Sequence, residues 1–306
     1  MKILYNGVDI YNDVSVNYCV HEMFAEKQAD TLVIRFNDTN GVWSKWNPED
    51  GDSIRLVEGA DDTGKMFVHF MKSENGLFTI RAMSVPKSGI TKRTKSWKGV
   101  RFLQLGKEIA ERHGLEFQSY GCSNELYRCM NQEKETDFAF YSYLCMLEGC
   151  QMLIYDGRLL VYNEKYMENQ TVSGSLDVEE NGVFAYMDNR AAVYNSCEVS
   201  KGGFLGKFVL SDADNTKIFR PDIKIAPTSE SEAMRFSKGL LRNENKYGRT
   251  GKFSKGLLTA YAAASLLRLK TQKASAWDGI VFVYKVRHDF IGNKTTIYFR
   301  DILEGY

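Results

Sequence analysis

The sequence predicts an α+β protein in which β-rich parts at both ends flank an α/β unit. Three observations carry this: period-two alternation in the first 85 residues, two helix signatures between about 90 and 165, and an echo of the opening strands near the end.

In DTLVIRFND, Leu32, Ile34 and Phe36 alternate with Val33 and Arg35, the spacing of a strand with one buried face. GDSIRLVEG follows, then KMFVHFMKSENGLFTIRAM, whose Asn75-Gly76 between two β-rich runs predicts a tight hairpin. With 4 prolines in 306 residues, glycine, asparagine and aspartate must make most turns.

The texture changes after Pro86. Lys87, Lys92, Arg93, Lys95, Lys98 and Arg101 form a basic run without an acid. VRFLQLGKEIAERHGLEF then reads as a helix with Phe102, Leu105 and Ile109 on one side and Gly114 at the C-terminal cap. TDFAFYSYLCMLEG is a second helix, capped by Thr136 or Asp137, apolar nearly all round and therefore buried. QMLIYDGRLLVYN follows as a hairpin turning at Asp156-Gly157.

The remainder is β-rich, with AVYNSCEVS and GKFVLSD as predicted strands and one helix after Pro227. Ser229 and Glu232 fit a capping box, in which each side chain satisfies the other's backbone N–H. Ala233, Phe236, Leu240 and Tyr247 share one face of that helix; Arg235, Lys238, Arg242 and Lys246 line the other. Between Thr228 and Ser275 stand ten basic residues (235, 238, 242, 246, 249, 252, 255, 268, 270, 273) against three acids (230, 232, 244), a local net of +7. Such a stretch is either a solvated face or a docking surface for an acidic partner or passing nucleic acid. LLTAYAAASLLRLK reads equally as an alanine-rich helix or as a loop leading into the strand SLLRLK.

The echo pairs SIRLVEG and GKMFVHFMKSENGLFTIR with SLLRLKT and GIVFVYKVRHDFIGNKTTIYFR. Each set runs short strand, long aromatic-rich strand, glycine and asparagine turn, and a strand ending in arginine. The alternatives are a duplicated β-module and the generic likeness of two β-meanders.

Several functions lack their residues. Forty basic against 39 acidic residues leave a net charge of +1, so no global field favours nucleic acid. The opening MKILYNGVDIYNDVSV lacks the apolar run of a signal peptide, and no stretch approaches the roughly 18 apolar residues of a membrane span. The expectation is a chain made in a cytoplasm without a membrane anchor. Cys19, Cys122, Cys129, Cys145, Cys150 and Cys197 show no CxxC pair and read as reduced, packed thiols. His21, His69, His113 and His288 are too scattered for structural zinc. No GxSxG, HExxH, Walker A or dinucleotide fingerprint occurs. Glu133, Glu135 and Asp137 suit a helix N-terminal dipole better than a sugar-cleaving acid pair. In VRHDF, strand alternation puts His288 with Ile280, Phe282, Tyr284, Val286 and Phe290, and Asp289 with Val281, Val283, Lys285 and Arg287. His288 and Asp289 then face apart, which excludes them as base and orienting acid of one triad; Arg287 and Asp289 are expected to pair. No catalytic, metal or cofactor residue is assigned.

The order ADTLVIRFND, GDSIRLVEG, TKSWKGVRFLQLGKEIAERHGLEF, ETDFAFYSYLCMLEGCQMLIYDGRLLVYNE, GIVFVYKVRHDF resembles the phage late-control protein D family, the baseplate hubs of contractile tails. That family is related to the N-terminal part of type VI secretion spike proteins. The resemblance spans nearly the whole chain and is most specific from Lys95 to Glu164. One feature departs from it, Ala262-Ala-Ala264 standing where a glycine-containing turn is usual, and the spike is expected to be another polypeptide.

The resemblance implies two similar antiparallel β-barrel tube domains at 1–88 and 167–306, an α/β domain at 89–166 between them, and a helical insertion at about 228–256. It implies a homotrimer whose six alike modules form a pseudo-sixfold ring joining a sixfold tail tube, or its initiator protein, to a separate trimeric spike. Other baseplate proteins are implied partners, with passing contact to a tape-measure protein or DNA. The particle would be a phage, a tailocin or a related injection system, assembled in the bacterial cytoplasm and carrying this chain in its baseplate. Arg235, Lys238, Arg242 and Lys246 are expected to face the lumen or a neighbouring subunit. The alternatives are a tail-associated peptidoglycan hydrolase and a nucleic-acid-binding β-barrel.

Overall fold

A computed structural model describes residues 1–178, 183–210, 217–271 and 274–306. Lys273, and Ser211 and Asp212 of the predicted strand GKFVLSD, lie outside the described residues. The fold is α+β and mostly strand.

The first part contains β1 (Lys2–Tyr5), β2 (Val8–Asp9), β3 (Ser15–Phe24), β4 (Thr31–Asn37), the short helix α1 (Val42–Trp46), β5 (Ser53–Glu58), β6 (Asp61–Asp62), β7 (Met66–Glu74) and β8 (Leu77–Met83). Asn75 and Gly76 join β7 to β8 with φ of 52° and 71°. Positive φ at both turn residues matches the twist of the paired strands, and asparagine and glycine adopt it at low cost. Trp43 of α1 plugs the core of this part, stacked 5.1 Å from the Phe78 ring.

The middle part runs β9 (Lys92–Arg101), α2 (Phe102–Arg112), β10 (Glu116–Tyr120), β11 (Leu126–Thr136), α3 (Asp137–Leu147), β12 (Cys150–Tyr155), β13 (Arg158–Asn163) and α4 (Glu164–Glu168). Gly114 ends α2 at φ 68°, and the Thr136 hydroxyl caps α3 by accepting from Ala139 N. From Lys92 onward the basic run forms β9, which pairs with β11 as a two-stranded ribbon laid over α2 and α3 through Trp97, Val100, Tyr127 and Met130; Lys87 precedes it in the 87–90 turn.

The last part adds β14 (Gly174–Val178), β15 (Val183–Asp188), β16 (Ser196–Lys201), β17 (Phe204–Val209), β18 (Ile218–Phe219), α5 (Glu230–Asn245), β19 (Arg249–Gly256), β20 (Ser265–Thr271), β21 (Gly279–Asp289) and β22 (Lys294–Asp301). The expected insertion of about 228–256 is thus too long. Its helix stops at Asn245, and 249–256 is a strand of the large sheet, paired with β15 and β22. The segment β16 to α5 also buries Val199, Phe236 and Leu241 in the same core as α2 and α3.

The echo has a topological counterpart. One hydrogen-bonded path runs β1·β5·β7·β8·β4·β3, and a second runs β14·β20·β21·β22·β19·β15. Counted in chain order within each part, both follow first, fourth, fifth, sixth, third, second. Both also carry a β-bulge at the matching residue of their long strand: the register shifts across His69 between Val68 and Phe70, and across Tyr284 between Val283 and Lys285. A bulge inserts one unpaired residue and reverses which side chains face in. Met66, Val68 and Met71 accordingly share the first core, while Val281, Val283 and Val286 share the second. This corrects the uninterrupted alternation read from VFVYKVRHDF: Val281 and Val283 lie on the face of Val286 and His288, not opposite it. One pairing differs, β1 being antiparallel to β5 and β14 parallel to β20.

The two paths join through β3 and β21, with His21 opposite His288. Among the described residues no sheet closes by hydrogen bonds into a barrel.

Candidate functional site

One candidate face is expected from the sequence, the basic side of α5. Ser229 caps this helix by accepting from Glu232 N (3.2 Å). The capping box is displaced by one residue, because the Glu232 carboxylate takes the backbone and hydroxyl of Thr228 (2.7 Å each) instead of Ser229 N. Two glycines let α5 sit deep: a Cβ on Gly239 would lie 2.2 Å from Leu147 O of α3, and one on Gly206 of β17 would lie 2.1 Å from the Ala233 backbone.

That depth divides the four expected basic residues. Arg242 and Lys246 are buried inside the chain and face neither a lumen nor a neighbour. Arg242 bonds Glu164 (2.8 Å) and lies 2.6 Å from Glu168; Lys246 bonds Glu164 (2.9 Å) and Glu26. Arg300 of β22 completes the group against Glu168 (2.6 Å), and Tyr247 donates to Glu26 (2.7 Å). Three carboxylates balance three cations where α4, α5, β22 and the turn after β3 meet. Burial, then the nearby Arg300, holds the Lys246 ammonium well below the ordinary lysine range. Arg242 and Lys246 are buried because this part of α5 is enclosed on its second side too, by acids that arrive from other parts of the chain.

Arg235 and Lys238 remain towards the outside. Arg235 pairs with Glu148 (3.1 Å) and Glu125 (3.5 Å), its side chain 29 % exposed. Lys238 is exposed, with its ammonium 5.5 Å over the Phe208 ring. They flank a hollow of about 230 Å³ lined with Glu148, Lys165, Gly239 and Tyr306.

His288 is fully buried; Nδ1 meets the Thr295 hydroxyl (2.8 Å) and Nε2 the Tyr261 carbonyl (3.3 Å). Asp289 lies on the other face, accepting from Gly292 N and 3.7 Å from Arg287. VRHDF is scaffold.

Two histidine–carboxylate contacts escaped the sequence reading, since their partners are 40 and 24 residues apart. His21 Nδ1 meets Asp61 at 2.9 Å, but among the described residues its Nε2 has no hydrogen-bond partner and hence no nucleophile to activate. Ser88, His113 and Asp137 do form a chain, Oγ to Nδ1 at 2.8 Å and Nε2 to Oδ2 at 3.0 Å. Asp137 is already shared with Arg112 (2.7 Å), Gln132 (2.9 Å) and Arg93 (3.7 Å). Burial first, and these arginines after it, hold the His113 pKa below its ordinary value despite Asp137. A catalytic acid must stabilise the imidazolium that forms; here the arginines oppose it. The chain reads as a staple between the 87–90 turn and the ends of α2 and α3. Among the described residues no group of three His, Cys, Asp or Glu side chains could hold a metal ion, and no helix is long and apolar enough to cross a membrane.

A cavity of about 350 Å³ lies where the two paths and the β12–β13 hairpin meet, walled by Met23, Phe24, Tyr155, Tyr162 and the loop 259–264. Asp30 lines it, 7 % exposed, and burial pushes its pKa up to about 6 although Phe24 N donates to it. A carboxyl raised this way favours folding fully below the unfolded value near 3.8 and loses that contribution as pH rises through 6. Asp30→Asn should therefore stabilise the chain by about 2–3 kcal/mol at pH 8 and by about 1 kcal/mol near pH 4.5; urea unfolding at both pH values checks this.

The same loop ends at Ala264, which donates from N to Val283 O (2.9 Å) with φ 58°. The triple alanine thus makes a turn of the glycine kind. A left-handed alanine costs about 1–2 kcal/mol, partly offset by the lower chain entropy of alanine over glycine. Ala264→Gly should raise stability by up to about 1 kcal/mol, read as a higher urea midpoint.

No family model and no curated protein sequence matches the chain. Solved structures do. A tail protein from Neisseria meningitidis MC58 superposes with a TM-score of 0.76 at 11 % identity, over 98 % of this chain and 95 % of that one. The 43 kDa tail protein of prophage MuSo2 from Shewanella oneidensis gives 0.75 at 10 %, over 98 % and 97 %. This chain has the fold of phage tail proteins. The tail-protein fold also matches the E. coli c3393 protein, a component of the type VI secretion system with structural similarity to T4 bacteriophage tail proteins gp27 and gp5, at 0.65 and 11 %, over 100 % and 78 %. At these identities the likeness is one of fold.

Proposed function

We propose that the chain is a structural baseplate hub protein of a contractile tail particle, three copies of which close a pseudo-sixfold ring between a sixfold tube and a threefold spike. The observation that carries this is the repeated strand path with its matching bulges: one chain presents two alike modules, so threefold symmetry makes six. The likeness in fold to tail proteins and to a secretion-system component supports the same reading. On it, the β-parts at 1–88 and from 167 onward serve as tube modules, and the middle unit braces them together with α5. The partners are tube, spike and other baseplate proteins, the place is the tail of the released particle, and the work is mechanical.

Lys238, exposed on α5, and its neighbour Arg235 are the basic residues of the expected four left to meet a partner. Complementing a particle that lacks this chain with Lys238→Glu should cut the yield of complete tails about tenfold, the effect of roughly 1.4 kcal/mol at an interface. The unfolding midpoint should stay unchanged. Tails assembled at the parental yield would remove this face from the assembly, and complete tails without the chain would overturn the function itself.

A further inference from the structure

We propose that Cys122 and Cys150 are a latent disulfide site, closed by exchange with a small-molecule disulfide. Cys122 lies in the loop after β10, and Cys150 is the first residue of β12. Their sulfurs are 3.6 Å apart in an S–H···S contact, so the approach to a bond of about 2 Å is about 1.6 Å. The pair is asymmetric in access. Cys122 is half-buried and open to a small reagent, whereas Cys150 is 2 % exposed, its sulfur 3.6 Å from the Cys122 sulfur and from the Glu148 carbonyl. The other thiols are placed differently: Cys19, Cys145 and Cys197 are fully buried, and Cys129 is exposed, near the Asn131 side chain (3.8 Å).

The asymmetry assigns the order of events. The hydrogen bond from Cys150 lowers the Cys122 pKa, and the Tyr120 carbonyl lies 3.4 Å from its sulfur. The same contact with Cys122, and then burial, raises that of Cys150. The Cys122 thiolate attacks one sulfur of the reagent; the reagent's S–S bond breaks, and one thiol leaves with the proton Cys122 has lost. Cys150 then gives up its proton and attacks the Cys122 sulfur of the mixed disulfide, releasing the second thiol. Two cysteines are oxidised and one reagent disulfide is reduced to two thiols. Cys150 needs no solvent access, only reach to Cys122.

The crosslink would act on a junction. The 121–125 loop supplies Asn124 Oδ1 to Leu103 N and Glu125 O to Phe102 N at the start of α2. It also carries Glu125 to Arg235 of α5, while Glu148, two residues before Cys150, holds the same arginine. Closure ties both anchors of Arg235 into one covalent loop around β11 and α3.

The folded native chain is treated with oxidised glutathione, alkylated under denaturing conditions and weighed intact, with a non-reduced digest. The expected result is that Cys122 and Cys150 escape alkylation, form a peptide pair two hydrogens, about 2 Da, lighter than the two free thiols, and regain both alkylation sites after dithiothreitol. Cys150→Ser, checked for a parental unfolding curve, should instead hold one glutathione on Cys122. Alkylation of both Cys122 and Cys150 after treatment, with glutathione on Cys129 alone, would overturn the proposal. So would a glutathione adduct that persists on Cys122 of the native chain, since Cys150 would then fail to resolve it.

Discussion

Replacing Arg300 by methionine should cost about 3–5 kcal/mol of stability, the loss expected when one partner of a buried charge group is removed. Arg300 is fully buried, set against Glu168 at 2.6 Å and Glu164 at 3.9 Å, with its guanidinium 4.4 Å over the Phe282 ring. Methionine fills much of the volume but leaves three carboxylates facing two cations away from water. Arg300→Lys keeps the charge and loses the planar fork, so its cost should be intermediate. Urea unfolding of the three chains measures the order. If Arg300→Met matched the parent, Arg300 would not be the partner that holds Glu164 and Glu168 in this junction. The junction matters because it fastens α5 to both β-parts at once, through Glu26 after β3 and Arg300 on β22.

The second large effect has the opposite sign from what helix propensity alone gives. In an exposed helix, glycine to alanine is worth about 1 kcal/mol in favour of alanine. Gly239→Ala should instead lose about 2–3 kcal/mol, because the new methyl would meet Leu147 O at 2.2 Å and Met146 O at 2.7 Å, and backbone cannot rotate away. The same unfolding assay decides it. A more stable Gly239→Ala chain would mean that α5 does not cross α3 at this residue.

Local chemistry made much of the fold legible. Asn75-Gly76 and Asp156-Gly157 announce their hairpins because the turn needs positive φ at both residues, and the four angles are 52°, 71°, 46° and 73°. Helices α2 and α3 announce themselves through an apolar face, a threonine cap and the left-handed glycines 114 and 149. The repeat was visible as an echo in GKMFVHF and GIVFVYK. What made it firm, the shared strand path and the bulges at His69 and Tyr284, depends on pairing between distant strands and has no local signature. The ribbon of β9 and β11 was hidden for the same reason: the basic run announces no strand by itself, and its partner lies beyond α2 in the chain.

The candidate face divides on tertiary grounds, with Arg242 and Lys246 enclosed and Arg235 and Lys238 left outside. A helical wheel sorts residues into in and out, which suits a helix with one covered side. Covered on further sides, α5 has a second stripe whose charges are matched by Glu164, 78 and 82 residues away, and by Glu26, 220 residues away. Nothing within a window around Arg242 or Lys246 marks them as buried. His288 and Asp289 do face apart, but the alternation behind that expectation is interrupted, since the bulge moves Val281 and Val283 onto the face of His288.

Whether two alike modules per chain close into a threefold ring is decided by the mass of the purified chain in solution. Light scattering across a concentration series should reach a plateau of about 105 kDa, three times the 34.9 kDa chain. A species that stays at 34.9 kDa up to the highest concentration, or one that settles at a dimer, would contradict a ring built by this chain.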